Sequence, residues 1–138
     1  MRRRREPGGI GSCVIAIELS NRSGAVVDEE GAVALARRVL EREGLADAEL
    51  GLVFVGPDEM RALKRAHLGV DEATDVLSFP IDGREPIPNG VPRQLGDAVL
   101  CPQVVGARWR APLVHGLLHL VGYDHGDEME AREALWRD

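Results

Sequence analysis

Apolar positions along this chain change their spacing several times, and each change predicts an element. Residues 12–19 alternate and are rich in β-branched side chains (Val14, Ile15, Ile17), the period of a half-buried strand. Asn21-Arg22-Ser23-Gly24 has the composition of a turn. From Asp28 onward Val33, Leu35, Ala36, Val39 and Leu40 recur at helical spacing, with Asp28, Glu29 and Glu30 suited to the positive N-terminal end and Gly44 to the close. Residues 49–55 predict a second strand, and Pro57 with Asp58 and Glu59 opens a helix carrying Met60, Leu63 and Lys64 to about Ala66. Val76 to Phe79 predict a strand that Pro80 ends or confines to an edge. Residues 82–94, with Gly83, Pro86, Pro88, Gly90 and Pro92, form a loop long enough to belong at the rim of a site. Leu95 to Cys101 predict a further strand, Pro102 a short helical turn, and Pro112 the first turn of a helix ending at Val121. Residues 127–136 predict a polar C-terminal helix with an apolar stripe at Met129, Ala131, Leu135 and Trp136. The sum is an α+β domain, a mixed β-sheet of about four strands flanked by helices. It occupies residues 10–138, behind a basic arm at residues 1–9 expected to be disordered.

Composition narrows the function classes. A chain of 138 residues can bury a core without staples. Its net charge of -6 argues against a generic nucleic-acid binder. Basic residues are clustered all the same, at Arg2 to Arg5, at Arg61, Lys64 and Arg65, and at Arg108 and Arg110. Such clusters become a phosphate footprint only if folding gathers them beside a reactive centre. The arginines at the start are followed by Glu6-Pro7-Gly8-Gly9 rather than by an apolar segment, so export is not expected, and no stretch reaches membrane-spanning length. Cys13 and Cys101 each lie in an apolar run, which predicts buried thiols in a reducing cytoplasm.

Candidate chemistry is concentrated in His115-Gly116-Leu117-Leu118-His119-Leu120-Val121-Gly122-Tyr123-Asp124-His125, which holds three of the four histidines. His115 and His119, four apart, share one helical face. Gly122 can end the helix in a left-handed conformation and turn the chain so that His125 approaches the other two rings. Three neutral imidazoles on one ion leave a fourth tetrahedral position open, the arrangement of a catalytic zinc site. The spacing H-x-x-x-H-x-x-G-x-x-H is shared with the metzincin metalloproteases, giving a zincin-like histidine helix followed by a glycine turn. Gly116, however, stands where those enzymes place the glutamate that serves as general base, which disfavours peptide hydrolysis by that route.

The same eleven residues resemble the H-G-x-L-H-L-x-G-Y-D-H signature of the YbeY family of metal-dependent endoribonucleases and rRNA maturation factors. Thr74-Asp75-Val76-Leu77-Ser78-Phe79-Pro80 is similar to that family's second signature, and Leu95-Gly96-Asp97-Ala98-Val99-Leu100-Cys101-Pro102 to its third. The resemblance runs from about residue 12 to the end. It implies a zinc hydrolase with one ion held by His115, His119 and His125, acting on the 3′ end of small-subunit ribosomal RNA and in ribosome quality control. Two departures stand out. His67-Leu68 occupies the place of a tyrosine-arginine-like pair, so the phosphate-gripping role is expected from Arg61 or Arg65, a helical turn or so away. The segment 102–114 is also shorter than is usual in the family, which predicts His115 in the first turn of its helix.

The expectation is therefore a cytoplasmic, zinc-dependent, single-strand-specific endoribonuclease whose partners are ribosomal RNA and the small ribosomal subunit, with no membrane. With no glutamate at 116 the general base is unassigned, and Asp124 is a weak candidate that is better suited to orient a histidine or cap the turn. Tyr123 and Trp109 can stack on a base, though anchoring helices suits each better, and His67 fits a surface residue better than a fourth ligand. A competing reading is a metal-stabilised, ribosome-associated RNA-binding factor with weak or no catalysis; a metalloprotease ranks third.

Overall fold

The computed structural model describes residues 14–68, 76–123 and 126–136. The basic arm, Cys13, Thr74, Asp75, Asp124 and His125 lie outside the described residues. Four strands, β1 (Val14–Asn21), β2 (Asp47–Phe54), β3 (Val76–Pro80) and β4 (Arg93–Leu100), form one sheet in the order β1-β2-β4-β3. β1, β2 and β4 run parallel, and β3 pairs antiparallel with β4 at the edge. The helices are α1 (Glu29–Arg42), α2 (Pro57–Leu68), the single turn α3 (Pro102–Val105), α4 (Arg110–Val121) and α5 (Asp127–Ala134). This is the mixed four-stranded α+β sheet that the alternation of strand and helix patterns predicts.

The period-2 strands sort their side chains onto two faces. Leu50, Leu52, Ala98 and Leu100 meet Leu35, Val39 and Leu40 of α1 and Leu113, Leu117 and Leu120 of α4 in the main core. On the other face Leu77, Val99 and Cys101 pack with Met60 and Leu63 of α2. Cys101 is a buried thiol, as expected of its apolar run. Among the described residues no helix is long and apolar enough to cross a membrane.

Several boundaries differ from the sequence reading, each for a tertiary reason. β2 begins at Asp47 because parallel pairing sets Asp47 opposite Val14. β4 begins at Arg93, where the Gln94 amide donates to the Asp82 carboxylate at 2.6 Å, so the loop spans residues 81–92. α2 runs on to Leu68. α5 stops at Ala134 with Met129 its one buried residue and Leu135 46% exposed, while Trp136 beyond the helix packs partly buried on the main core, so two of the four expected apolar positions face inward. A helix of eight residues has room for one contact face against a neighbour.

The histidine helix also starts earlier than expected. A 3-10 turn at Gly106–Arg108 leads directly into α4, and the Leu113 amide already donates to the Trp109 carbonyl at 3.1 Å. His115 thus lies in the second turn, not the first. Pro112 costs nothing there, since amides of the first turn have no intrahelical acceptor. At the other end Gly122, with φ of 120°, lets its own amide and that of Tyr123 return to the Leu118 carbonyl at 3.1 and 3.0 Å. That closure is the left-handed cap a glycine permits.

α4 is apolar almost all round, with Leu113, Val114, Gly116, Leu117, Leu118, Leu120 and Val121 buried and the two histidines half-buried. Such a helix needs protein on most sides, and its closest approach is to the edge strand β3. A Cβ at residue 116 would meet Val76 Cγ2 at 2.8 Å and Ser78 Oγ at 3.2 Å. The Ser78 hydroxyl instead donates to the Gly116 carbonyl at 2.9 Å. Gly116 is therefore a packing requirement, and no glutamate fits in its place without moving β3. Gly116→Ala is expected to lower stability by about 1–3 kcal/mol, the range of overpacked cores, read as a lower denaturant midpoint; an unchanged midpoint refutes this contact.

Candidate metal centre

The two half-buried histidines form the one polar stripe of α4. Their rings meet edge to face with centroids 4.6 Å apart, and the two Nε2 atoms lie 3.2 Å from each other. Each Nδ1 faces a group that can only accept. His115 Nδ1 is 2.8 Å from Glu133 Oε2 on α5, and His119 Nδ1 is 2.9 Å from the carbonyl of Tyr123. Both Nδ1 atoms consequently carry the hydrogen, and in the neutral rings both Nε2 lone pairs point to one place. Two lone pairs at that distance repel unless a proton or a cation is shared between them.

The donor set suits zinc. Two tetrahedral zinc–imidazole bonds of about 2.0–2.1 Å set their nitrogens about 3.3–3.4 Å apart, close to the spacing here. Hydrogen bonding of the distal ring nitrogen to a carboxylate or a backbone carbonyl fixes tautomer and orientation in such sites. The His115 side chain is 29% exposed, so the place is open to solvent. Among the described residues no three His, Cys, Asp or Glu side chains come together as a metal site. The third expected ligand, His125, and the candidate base Asp124 fall outside the described residues.

A second layer braces these rings. Glu43, at the end of α1, has a side chain only 4% exposed. Its Oε2 accepts from Arg132 Nε and Nη2 at 2.9 and 2.7 Å, and its Oε1 from the Tyr123 hydroxyl at 2.8 Å. One carboxylate thereby ties α1 to the turn after α4 and to α5, the helix that delivers Glu133. The bond to Glu43, then burial, push the Tyr123 phenol above its ordinary range, and the same carboxylate raises Arg132. Tyr123 is thus an anchor, and its ring also bears the Arg84 guanidinium at 4.4 Å from the centroid. Trp109 packs on the main core with Arg110 over its ring at 4.5 Å.

The expected phosphate contacts are placed elsewhere. Arg61 Nη2 donates to Asp58 Oδ1 on its own helix at 2.7 Å. Arg61 and Arg65 ride on α2, which packs on the sheet face opposite α4, so the fold does not gather them beside His115 and His119. His67 is exposed and stacks at 4.7 Å on Phe79. The sequence reading missed Glu133 and Glu43, although a signal existed for each. Glu133 is four residues after buried Met129, and Glu43 is four after buried Val39, so both share a helical face with core residues.

Comparison with known proteins places this geometry in context. The family profile described as Endoribonuclease YbeY matches residues 18–136. A protein named Endoribonuclease YbeY from Salinispora tropica is 37% identical, over 86% of this chain and 88% of its own length. One of the same name from Beutenbergia cavernae is 39% identical, over 86% of this chain and 89% of its own. The solution structure of TM1509 from Thermotoga maritima aligns with a TM-score of 0.57 at 25% identity, covering 86% of this chain and 85% of that one.

Two outcomes test the site. Glu133→Gln is expected to weaken zinc binding by about 10–100-fold, the usual effect of losing such a partner, measured by competition with a chromophoric chelator. The chain has one tyrosine, so phenolate absorbance reports Tyr123 alone. Because its folded pKa is raised, the bond to Glu43 stabilises the fold fully below the unfolded value of about 10 and is lost as pH climbs through the raised value. Glu43→Gln should move that titration down, and an unmoved titration contradicts the bond.

Proposed function

Because the chain belongs to the Endoribonuclease YbeY family, we propose that it is a zinc-dependent, single-strand-specific endoribonuclease. It acts in maturation of ribosomal RNA, at the 3′ end of the small-subunit species, and in ribosome quality control. Its partners are that RNA and the small ribosomal subunit, and its place is the cytoplasm. The observation that carries the reading is the pair of Nε2 atoms 3.2 Å apart with both Nδ1 atoms held by acceptors. His115, His119 and His125 are the proposed ligands of one ion.

Zinc held there acidifies water to a pKa of about 7 and polarises a phosphoryl oxygen, the two things phosphodiester hydrolysis needs. The chain's own residues do the rest. Glu133 and the Tyr123 carbonyl keep both rings in the ligating tautomer. Gly116 brings α4 onto β3 and carries no carboxylate to serve as base, which sets this chemistry apart from peptide hydrolysis by a glutamate on the same helix. β3 is the edge of the sheet, and α4 lies against it. Residue 119 is about 40° and residue 116 about 100° round the helix from 115, so the histidine stripe runs beside that contact.

The test uses the full chain stripped of metal and reloaded with zinc. It should take up one zinc and cleave single-stranded RNA. His119→Ala should abolish both, and cleavage that survives the substitution rules the reading out.

A further inference from the structure

Arg84 is an exposed arginine that reaches the end of the histidine helix. It sits in the loop 81–92 between β3 and β4, a segment far from α4 in sequence. The loop is not slack at this point. Arg93 Nη1 donates to the carbonyls of Gly83 and Glu85 at 2.7 and 2.9 Å, holding the residue on either side of Arg84. The Glu85 amide closes the turn onto the Asp82 carbonyl at 2.9 Å, and Asp82 is itself tied to the start of β4.

From this fixed base the side chain crosses to the end of the histidine helix. Its stem covers Gly122, where any Cβ would strike Arg84 Cγ, and its guanidinium carbon lies 4.4 Å from the centroid of the Tyr123 ring. Tyr123 is the residue whose carbonyl accepts from His119 Nδ1. The guanidinium is therefore anchored to the turn that follows the candidate ligands. A contact with a ring's π face uses none of a guanidinium's N–H donors, which can still serve another acceptor. Arg84 is exposed, and no carboxylate among the described residues pairs with it. Arg22, Arg61 and Arg132, by contrast, are each spent on one.

We propose that Arg84 binds a backbone phosphate of the RNA neighbouring the scissile one, held in position by Gly122 and the Tyr123 ring. The inference rests on the endoribonuclease reading above. A guanidinium matches a phosphate with two parallel hydrogen bonds, and stacking pre-organises the fork so that little freedom is lost on binding. Tyr123 touches both, its ring under the guanidinium and its carbonyl on His119 Nδ1, so the phosphate assigned to Arg84 is a neighbour of the one at the histidines. The expected anchors on α2 lie across the sheet, so this loop supplies the cation at the site's own rim.

The experiment compares wild type, Arg84→Met and Arg84→Lys, all zinc-loaded, on a short single-stranded oligonucleotide and on a dinucleotide with one phosphodiester. Methionine keeps an apolar stem over Gly122 while removing the charge. Arg84→Met should raise KM for the oligonucleotide by about tenfold or more, as loss of a charged hydrogen bond does, with the change falling on KM rather than kcat. The penalty should shrink on the dinucleotide. The dependence of log affinity on log salt should become shallower by about 0.7, one phosphate contact on a single strand, and Arg84→Lys should restore that slope. If Arg84→Met keeps the wild-type KM and salt slope while His119→Ala abolishes cleavage, the phosphate role is overturned and the endoribonuclease reading stands. If Arg84→Met instead loses zinc, Arg84 braces the histidine turn and the proposal also fails. Should wild type neither bind nor cleave single-stranded RNA, the endoribonuclease reading falls and this inference falls with it.

Discussion

The contact on which the rest of the structure depends is the close approach of α4 to the edge strand β3 at Gly116. A glycine there lets helix and strand come nearer than any side chain allows, and the Ser78 hydroxyl caps the contact by bonding the Gly116 carbonyl. Everything on α4 then has its direction fixed. Leucines and valines fall into the main core, and His115 and His119 are left as the single polar stripe beside the sheet's edge. A residue read from sequence only as a missing general base is, in three dimensions, what sets where the rings can be.

Electrostatics complete what packing begins. The tautomer of a neutral imidazole decides which of its nitrogens is bare to ligate a metal, and here the choice is made at the far nitrogen of each ring. Glu133 makes it for His115 and the Tyr123 carbonyl for His119. Neither partner is free to wander. Glu43, a carboxylate almost wholly removed from water, holds Tyr123 and Arg132, and Arg132 precedes Glu133 on the same helix. A buried carboxylate is costly unless its oxygens are fully bonded, and these accept three hydrogen bonds. The two candidate ligands are thus braced from behind through Glu43, Tyr123 and Arg132.

Sequence patterns carried the element order, the strand count, the mixed sheet and the histidine helix, because alternation and helical spacing are local facts. Where the reading slipped, the cause was non-local. The start of β2 is set by a parallel partner and the start of β4 by a carboxylate across the loop. The start of α4 comes from a preceding 3-10 turn that no periodicity announces. Of the site, His115 and His119 were legible from spacing alone. Glu133 and Glu43 were not singled out, because helices α1 and α5 are rich in acids and only the helical phase relative to Val39 and Met129 separates these two from the rest. Arg61 and Arg65 were attractive by proximity in sequence, but alternation along β3 and β4 sends α2 to the opposite face.

One consequence concerns the tail of the chain. α5 has eight residues, too few to persist as a helix on its own, and it buries a single methionine. Besides Trp136, which follows it and packs on the main core, it is held by the grip of Glu43 on Arg132 and of His115 on Glu133. On the zinc proposal, an ion on the other nitrogen of His115 would strengthen the second grip and so lower the frequency with which this segment frays. Ion binding and fraying of α5 would then be coupled, and the metal-free chain would lose protection first in this helix.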